Sequence, residues 1–207
     1  MIAARKSVWF ERIFSLYTRN LFWRRFEKLD ITGLENLQNR DSSLPLVIYA
    51  NHSSWWDPLV AFVISQQADL DIFAMMEEKN LRKLGFFRRI GAFSVVRENP
   101  REAVKSIRYS VDLLQAKPNR AVWIFPQGAI EPNRIRPLKF YNGAAKIIQQ
   151  SKKCFAAPVA LRYEFLEDYK PTAFARIGAP ELFENVANAK QLTAHLTRNL
   201  TQLLDEM

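Results

Sequence analysis

Two spacings of apolar residues alternate along the chain. Short runs bounded by turn residues and charges occur at Leu46–Ala50, Asp71–Met76, Ala92–Val96, Ala121–Phe125, Ala157–Tyr163 and Ala173–Ile177, and each predicts a strand. Between them lie stretches whose apolar residues recur every three or four positions, which predict helices. One follows Asp57-Pro58, read as an N-cap and a first-turn proline, and runs through Leu59–Ile64. Others cover Arg101–Gln115, with Ala103, Val104, Ile107, Val111 and Leu114 in phase, and Ala144–Gln150. The last covers about Asn188–Leu204, with Leu192, Leu196, Leu200 and Leu203 in phase. Such alternation predicts an α/β fold: a single domain with a mixed, largely parallel sheet flanked by helices. An N-terminal amphipathic helical segment precedes it, so the chain divides into residues 1–30 and 31–207.

The N-terminal segment is amphipathic in an unusual way. From Ser7 to Leu29, Trp9, Phe10, Ile13, Phe14, Leu16, Tyr17, Leu21, Phe22, Trp23 and Phe26 interleave with Arg12, Arg19, Arg24, Arg25 and Lys28. A second stretch, Lys79–Arg89, mixes Leu81, Leu84, Phe86 and Phe87 with Arg82, Lys83, Arg88 and Arg89. Each fits two readings: an aromatic face packed on the core, or an interfacial helix with rings at headgroup depth and cationic stems reaching anionic phosphates. The formal net charge of +9 favours an anionic partner. No recognised nucleic-acid motif accompanies that charge, and bulky aromatics alternating with it suit lipid better, so a membrane surface rather than nucleic acid is expected.

No apolar run approaches the ~18 residues of a membrane span, and the N-terminus lacks the apolar core and cleavage site of a signal peptide. A peripheral or monotopic protein on the cytoplasmic face of a membrane is the expectation. The lone Cys154 has no disulfide partner, no zinc-type Cys/His cluster accompanies it, and it reads as an ordinary part-buried cysteine.

The candidate chemistry begins where the first predicted strand ends, in Asn51-His52-Ser53-Ser54-Trp55-Trp56-Asp57-Pro58. Histidine is the side chain whose unperturbed pKa lies near neutrality, and a carboxylate on its second ring nitrogen orients it and stabilises the imidazolium. On a continuous helix, residues five apart point about 140° away from each other, so His52 and Asp57 meet only across a tight turn. The other histidine, His195, falls inside the closing helix and is read as structural. A second strand-end loop, Phe125-Pro126-Gln127-Gly128, puts a glycine where backbone amides can approach a ligand.

Together these segments resemble the lysophospholipid acyltransferases, typified by 1-acyl-glycerol-3-phosphate acyltransferase. Asn51, His52 and Asp57 match the family's NHxxxxD motif. Gly91-Ala92-Phe93-Ser94-Val95-Val96-Arg97 looks like its second motif, Phe125-Pro126-Gln127-Gly128-Ala129-Ile130 its FPEG motif, and Ala157-Pro158-Val159-Ala160 its fourth. Phe140, Gly143 and Ala144 fall where the family has a helix start. The motifs keep the family's order over roughly residues 30–180.

The resemblance implies that residues 31–207 form an acyltransferase domain. It would move a fatty acyl group from acyl-CoA or acyl carrier protein, as co-substrate, to a hydroxyl of a lipid acceptor, without metal or other cofactor. His52 would be the general base and Asp57 its partner, with backbone amides near Gly128 as oxyanion donors. Arg97, Phe125, Pro126, Gln127 and Gly128 would bind substrate. The third motif departs from the family, with Gln127 for Glu, Ala129 for a hydroxyl residue and Ile130 for Arg. Lysophosphatidate is therefore only the default acceptor, and a neutral lipid or glycolipid hydroxyl, or a non-catalytic lipid-binding role, are the alternatives.

Overall fold

The computed structural model describes residues 1–207. The first part of the chain forms α1 (Val8–Arg25), β1 (Leu29–Thr32), α2 (Glu35–Gln38), β2 (Leu46–Ala50), α3 (Asp57–Gln67), β3 (Asp71–Glu77) and α4 (Glu78–Lys83). A 3-10 helix (Gly85–Ile90) leads to β4 (Ala92–Val95), α5 (Pro100–Gln115), β5 (Arg120–Ile124), α6 (Gly143–Gln150), β6 (Lys153–Glu164), β7 (Thr172–Ile177), β8 (Glu181–Glu184) and α7 (Ala189–Asp205). The strands make one sheet ordered β1-β7-β6-β2-β5-β3-β4, with β8 also pairing β6. β6, β2, β5, β3 and β4 run parallel, whereas β7 and β8 run antiparallel to β6. The predicted single α/β domain with a mixed, largely parallel sheet is the fold observed.

Every residue of β2 is buried because helices cover both faces of the sheet. Leu46, Ile48 and Ala50 point into a core shared with α1 and α3, while Val47 and Tyr49 point toward α5, α6 and α7. Trp123 of β5 is fully buried, and its indole N–H is satisfied by Ser65 Oγ at 2.8 Å. Asn99 and Asn188 cap α5 and α7, each accepting two backbone N–H groups of the first turn. Three elements escape the periodicity. β1, α2 and β8 are four residues each, too short to carry a period.

α1 satisfies both readings of its sequence at once. Phe14, Thr18 and Phe22 are buried along one side and join Phe26 in the core. Trp9, Ile13, Leu16, Tyr17 and Trp23 lie exposed along the opposite side. The second basic-aromatic stretch is divided, with Leu81 buried and Phe86 and most of its charged residues exposed. It breaks between α4 and the 3-10 helix, burying Leu81 and Ile90, while Phe87 packs on the core and stacks on Phe86. The residues before α1 line the β4 edge: Ser94 N–H donates to the Ile2 carbonyl, and Ile2 N–H to Ser94 Oγ. This shields a strand edge from pairing with other chains.

Cys154 is fully rather than partly buried, because α6 lies over the start of β6. Burial pushes its thiol up to about 12. Since only the thiolate reacts, alkylation of the native protein at pH 8 is expected to be at least about a hundredfold slower than in denaturant. Timed iodoacetamide labelling read by intact mass checks this. His195 meets Glu181 Oε2 at 2.7 Å and ties α7 to β8.

Candidate active site

The parallel strands converge at their carboxyl ends, and the NHxxxxD segment leaves the sheet there, between β2 and α3. Asn51 anchors its first residue. Its buried amide accepts from Leu161 N–H at 2.7 Å and donates to the Leu161 carbonyl at 2.9 Å and Asn133 Oδ1 at 2.8 Å. The chain then folds back sharply enough to bring His52 Nδ1 within 2.7 Å of Asp57 Oδ2. Asp57 was expected to cap α3, but its carboxylate turns back into the loop. Oδ2 also accepts the N–H groups of Ser53 at 2.7 Å and Ser54 at 2.9 Å, and Oδ1 accepts the Tyr163 hydroxyl at 2.6 Å.

Asp57 is fully buried, and four donors surround it. A carboxylate so placed acts only as an acceptor, so His52 presents Nδ1–H to it and keeps its lone pair on Nε2. The imidazole is stacked on Phe125, ring centroids 4.6 Å apart. Burial, followed by the charge of Asp57, drives the Tyr163 phenol far above its ordinary pKa, so it stays a donor. Tyr163 escaped the sequence reading because 106 residues separate it from Asp57. Tyr163→Phe removes one of four donors and is expected to lower kcat about tenfold with little change in KM, the size of one hydrogen bond to a charged group. Steady-state kinetics on the folded variant measure that split.

The loop after β5 braces His52 from below. Gln127 Oε1 accepts His52 N–H at 2.7 Å, Gln127 Nε2 donates to Glu131 Oε2 at 2.7 Å, and Glu131 N–H donates to the His52 carbonyl at 2.8 Å. Gln127, expected to bind substrate, is engaged within the protein instead of lining the cavity. Its side chain is buried and both ends of its amide are taken within the protein. The N–H of Gly128 closes a turn onto the Phe125 carbonyl at 3.0 Å, so that one amide is not free for an oxyanion. Glycine is needed there for another reason. With φ of +68°, a Cβ at this position would lie 2.1 Å from an Arg97 guanidinium nitrogen.

Arg97 thus lies against the loop. Its guanidinium sits 5.4 Å from the Tyr141 ring centroid and 3.8 Å from Glu77. His52, Arg97, Phe125, Pro126 and Gly128 all border one cavity of about 710 Å³, whereas Asp57 stands behind the imidazole and Gln127 beneath the loop. Ala61, Phe62, Ala74 and Trp123 give the cavity an apolar wall, and Ala129 and Ile130 line it where the family pattern has a hydroxyl and an arginine. Trp55 stands exposed at its rim, while Trp56 packs edge-on against Phe26, centroids 4.8 Å apart. The arrangement is a proton acceptor facing a mainly apolar chamber with the Arg97 guanidinium and the Lys79 and Lys146 side chains in its lining, suited to deprotonating a hydroxyl beside a long hydrocarbon.

Comparisons with known proteins bear on the fold and the family. No curated protein matched the chain. Among solved structures, it is similar to the 1-acyl-sn-glycerophosphate (LPA) acyltransferase PlsC from Thermotoga maritima. The TM-score is 0.70 at 15% sequence identity, over 95% of this chain and 79% of that one. At that identity the likeness concerns the fold. The family model described as Acyltransferase matches residues 28–162, well over half of the sequence and nearly the whole stretch from β1 to the Tyr163 end of β6. With that match, and with the first three motifs meeting at one cavity, the chain belongs to the acyltransferase family.

Proposed function

We propose that this acyltransferase moves a fatty acyl group from an acyl thioester, acyl-CoA or acyl carrier protein, to a hydroxyl of a membrane lipid, by default a lysophospholipid such as 1-acyl-glycerol-3-phosphate. The observation that carries the reading is His52, held at Nδ1 by a saturated, buried Asp57 and bordering an apolar cavity. In this mechanism His52 Nε2 takes the proton of the acceptor hydroxyl as its oxygen attacks the thioester carbonyl. The tetrahedral intermediate collapses to the ester, and the imidazolium returns that proton to the departing thiolate. Asp57 stabilises the imidazolium throughout, so no acyl-enzyme is needed. The N–H groups of Ala129 and Ile130, which donate to no protein acceptor, and the Arg97 guanidinium are the donors nearest to hand for the oxyanion.

Ile130 favours a second reading of the acceptor. An isoleucine in the cavity wall offers nothing to a phosphate, so the cations left to meet one are Arg97, Lys79 and Lys146 elsewhere in the lining, and the Ile130 side admits a neutral lipid hydroxyl. No helix is long and apolar enough to cross a membrane. The exposed aromatic side of α1, with its arginines, suits peripheral binding to an anionic leaflet on the cytoplasmic side, where acyl thioesters are available. The test is thiol release from both thioester donors by purified protein on anionic vesicles containing lysophosphatidate, another lysophospholipid or a monoacylglycerol. Acceptor-dependent release is expected. Release with none of them would remove the lipid-hydroxyl reading.

A further inference from the structure

Past Tyr163 the chain makes a hairpin between β6 and β7. Its tip holds Phe165 and Leu166, exposed at 73% and 58%, and the fully exposed Tyr169. Three large apolar side chains within five residues are a concentrated patch for a loop in water. Because β6 runs parallel to β2, this tip stands at the carboxyl end of the sheet, the end that carries His52. It begins two residues after Tyr163, whose hydroxyl holds Asp57.

The base of the hairpin is laced to the end of α1. Lys170 Nζ donates to the Trp23 carbonyl at 3.1 Å and lies 5.9 Å from the Trp23 ring centroid, and Glu27 N–H donates to the Pro171 carbonyl at 3.0 Å. Trp23, exposed at 74%, is the last member of the outward stripe of α1. The tip therefore continues that stripe around the corner of the molecule, with Arg24, Arg25, Lys28 and Lys170 nearby in the chain.

We propose that the tip of the β6–β7 hairpin is a second lipid-inserting element, seating Phe165, Leu166 and Tyr169 in the interfacial layer of an anionic bilayer. The proposal rests on the reading that the acceptor is a membrane lipid. A single helix lying on a surface leaves the body free to roll about the helix axis, and a second anchor off that axis fixes the roll. Here the fixed orientation turns the His52 end of the sheet toward the lipid. Glu167 and Asp168 within the tip oppose deep entry, so insertion is shallow and driven by the aromatic and aliphatic surface, while the arginines of α1 supply the electrostatic attraction.

The test uses the full chain with single cysteines carrying an environment-sensitive fluorophore, Cys154 being buried. Labels go at Leu166→Cys in the tip, Leu16→Cys on α1, and Lys117→Cys in the turn before β5, at the amino end of the sheet. With vesicles of phosphatidylethanolamine and phosphatidylglycerol, emission at 166 and 16 is expected to rise about threefold and shift to the blue, with 117 unchanged. High salt before vesicle addition should weaken both together, as one body docks. A response at 16 without one at 166 overturns the hairpin anchor and leaves membrane binding intact. No response at either overturns both. As a second measurement, F165S/L166S/Y169S should turn over vesicle-embedded acceptor about tenfold more slowly than a short-chain, water-soluble acceptor relative to the native protein. Equal loss on both, or no loss on either, also overturns the proposal.

Discussion

Substituting His52 with alanine is expected to lower kcat by about a thousandfold to ten-thousandfold, the range of a well-placed general base. The fold should survive it. The imidazole is partly exposed at the cavity wall, and its loss leaves Asp57 with the Ser53, Ser54 and Tyr163 donors still in place. KM for the thioester should change little, since the proton-transfer interaction strengthens only as the hydroxyl attacks. Thiol release and circular dichroism on the same sample decide the matter. Turnover near the native rate in a folded His52→Ala would place the base elsewhere.

Asp57 gives the second large effect, and its two simplest variants should behave differently. In Asp57→Ala, two backbone N–H groups, the Tyr163 hydroxyl and His52 Nδ1–H lose a common acceptor in a fully buried place. Breaking a buried charged cluster from one side costs about 3–5 kcal/mol, so this variant should melt far below the native protein and be nearly inactive. Asp57→Asn has the same shape. Its amide oxygen can take the place of Oδ2, fixed there by the two loop N–H groups, and its NH₂ can donate to Tyr163 once that hydroxyl turns to accept. The hydrogen bonds survive and the negative charge does not. The asparagine variant should therefore fold with a loss of about 1–2 kcal/mol, while kcat still falls about a hundredfold or more, because nothing balances the imidazolium. Urea titrations of both variants beside their kinetics separate holding from charge. An Asp57→Ala as stable as the native protein would contradict the four-donor arrangement.

The legibility of this fold follows the range over which each feature is encoded. β2, α3, α5, β5 and α7 are predicted well because the signal for each lies within ten or so residues: an unbroken apolar run for β2 and β5, a first-turn proline before an apolar run for α3, and an amphipathic period for α5 and α7. The His52–Asp57 pair was visible because both residues lie in one short loop. Tyr163, Asn133 and the inward role of Gln127 were not, since each depends on strands or loops far apart in the chain meeting at one end of the sheet. The composition of α1 announced aromatic and basic residues. It did not announce two opposed apolar faces, because a helix with apolar residues on both sides shows little amphipathic period. The Asp57 cap failed for a related reason: an aspartate before proline fits both a helix start and a loop acceptor, and the histidine decided which.

Asn51 is easily passed over as the silent first letter of its motif. Its side-chain amide meets both the N–H and the carbonyl of Leu161, as the peptide of a neighbouring strand would. The side chain thus lends the sheet one more rung after the β2 backbone has ended. His52 hangs from that rung like a bracket from a beam, one peptide bond away from the fully buried β2. A change at Asn51 would act as a misalignment: all the reacting groups would be present, aimed at slightly the wrong place.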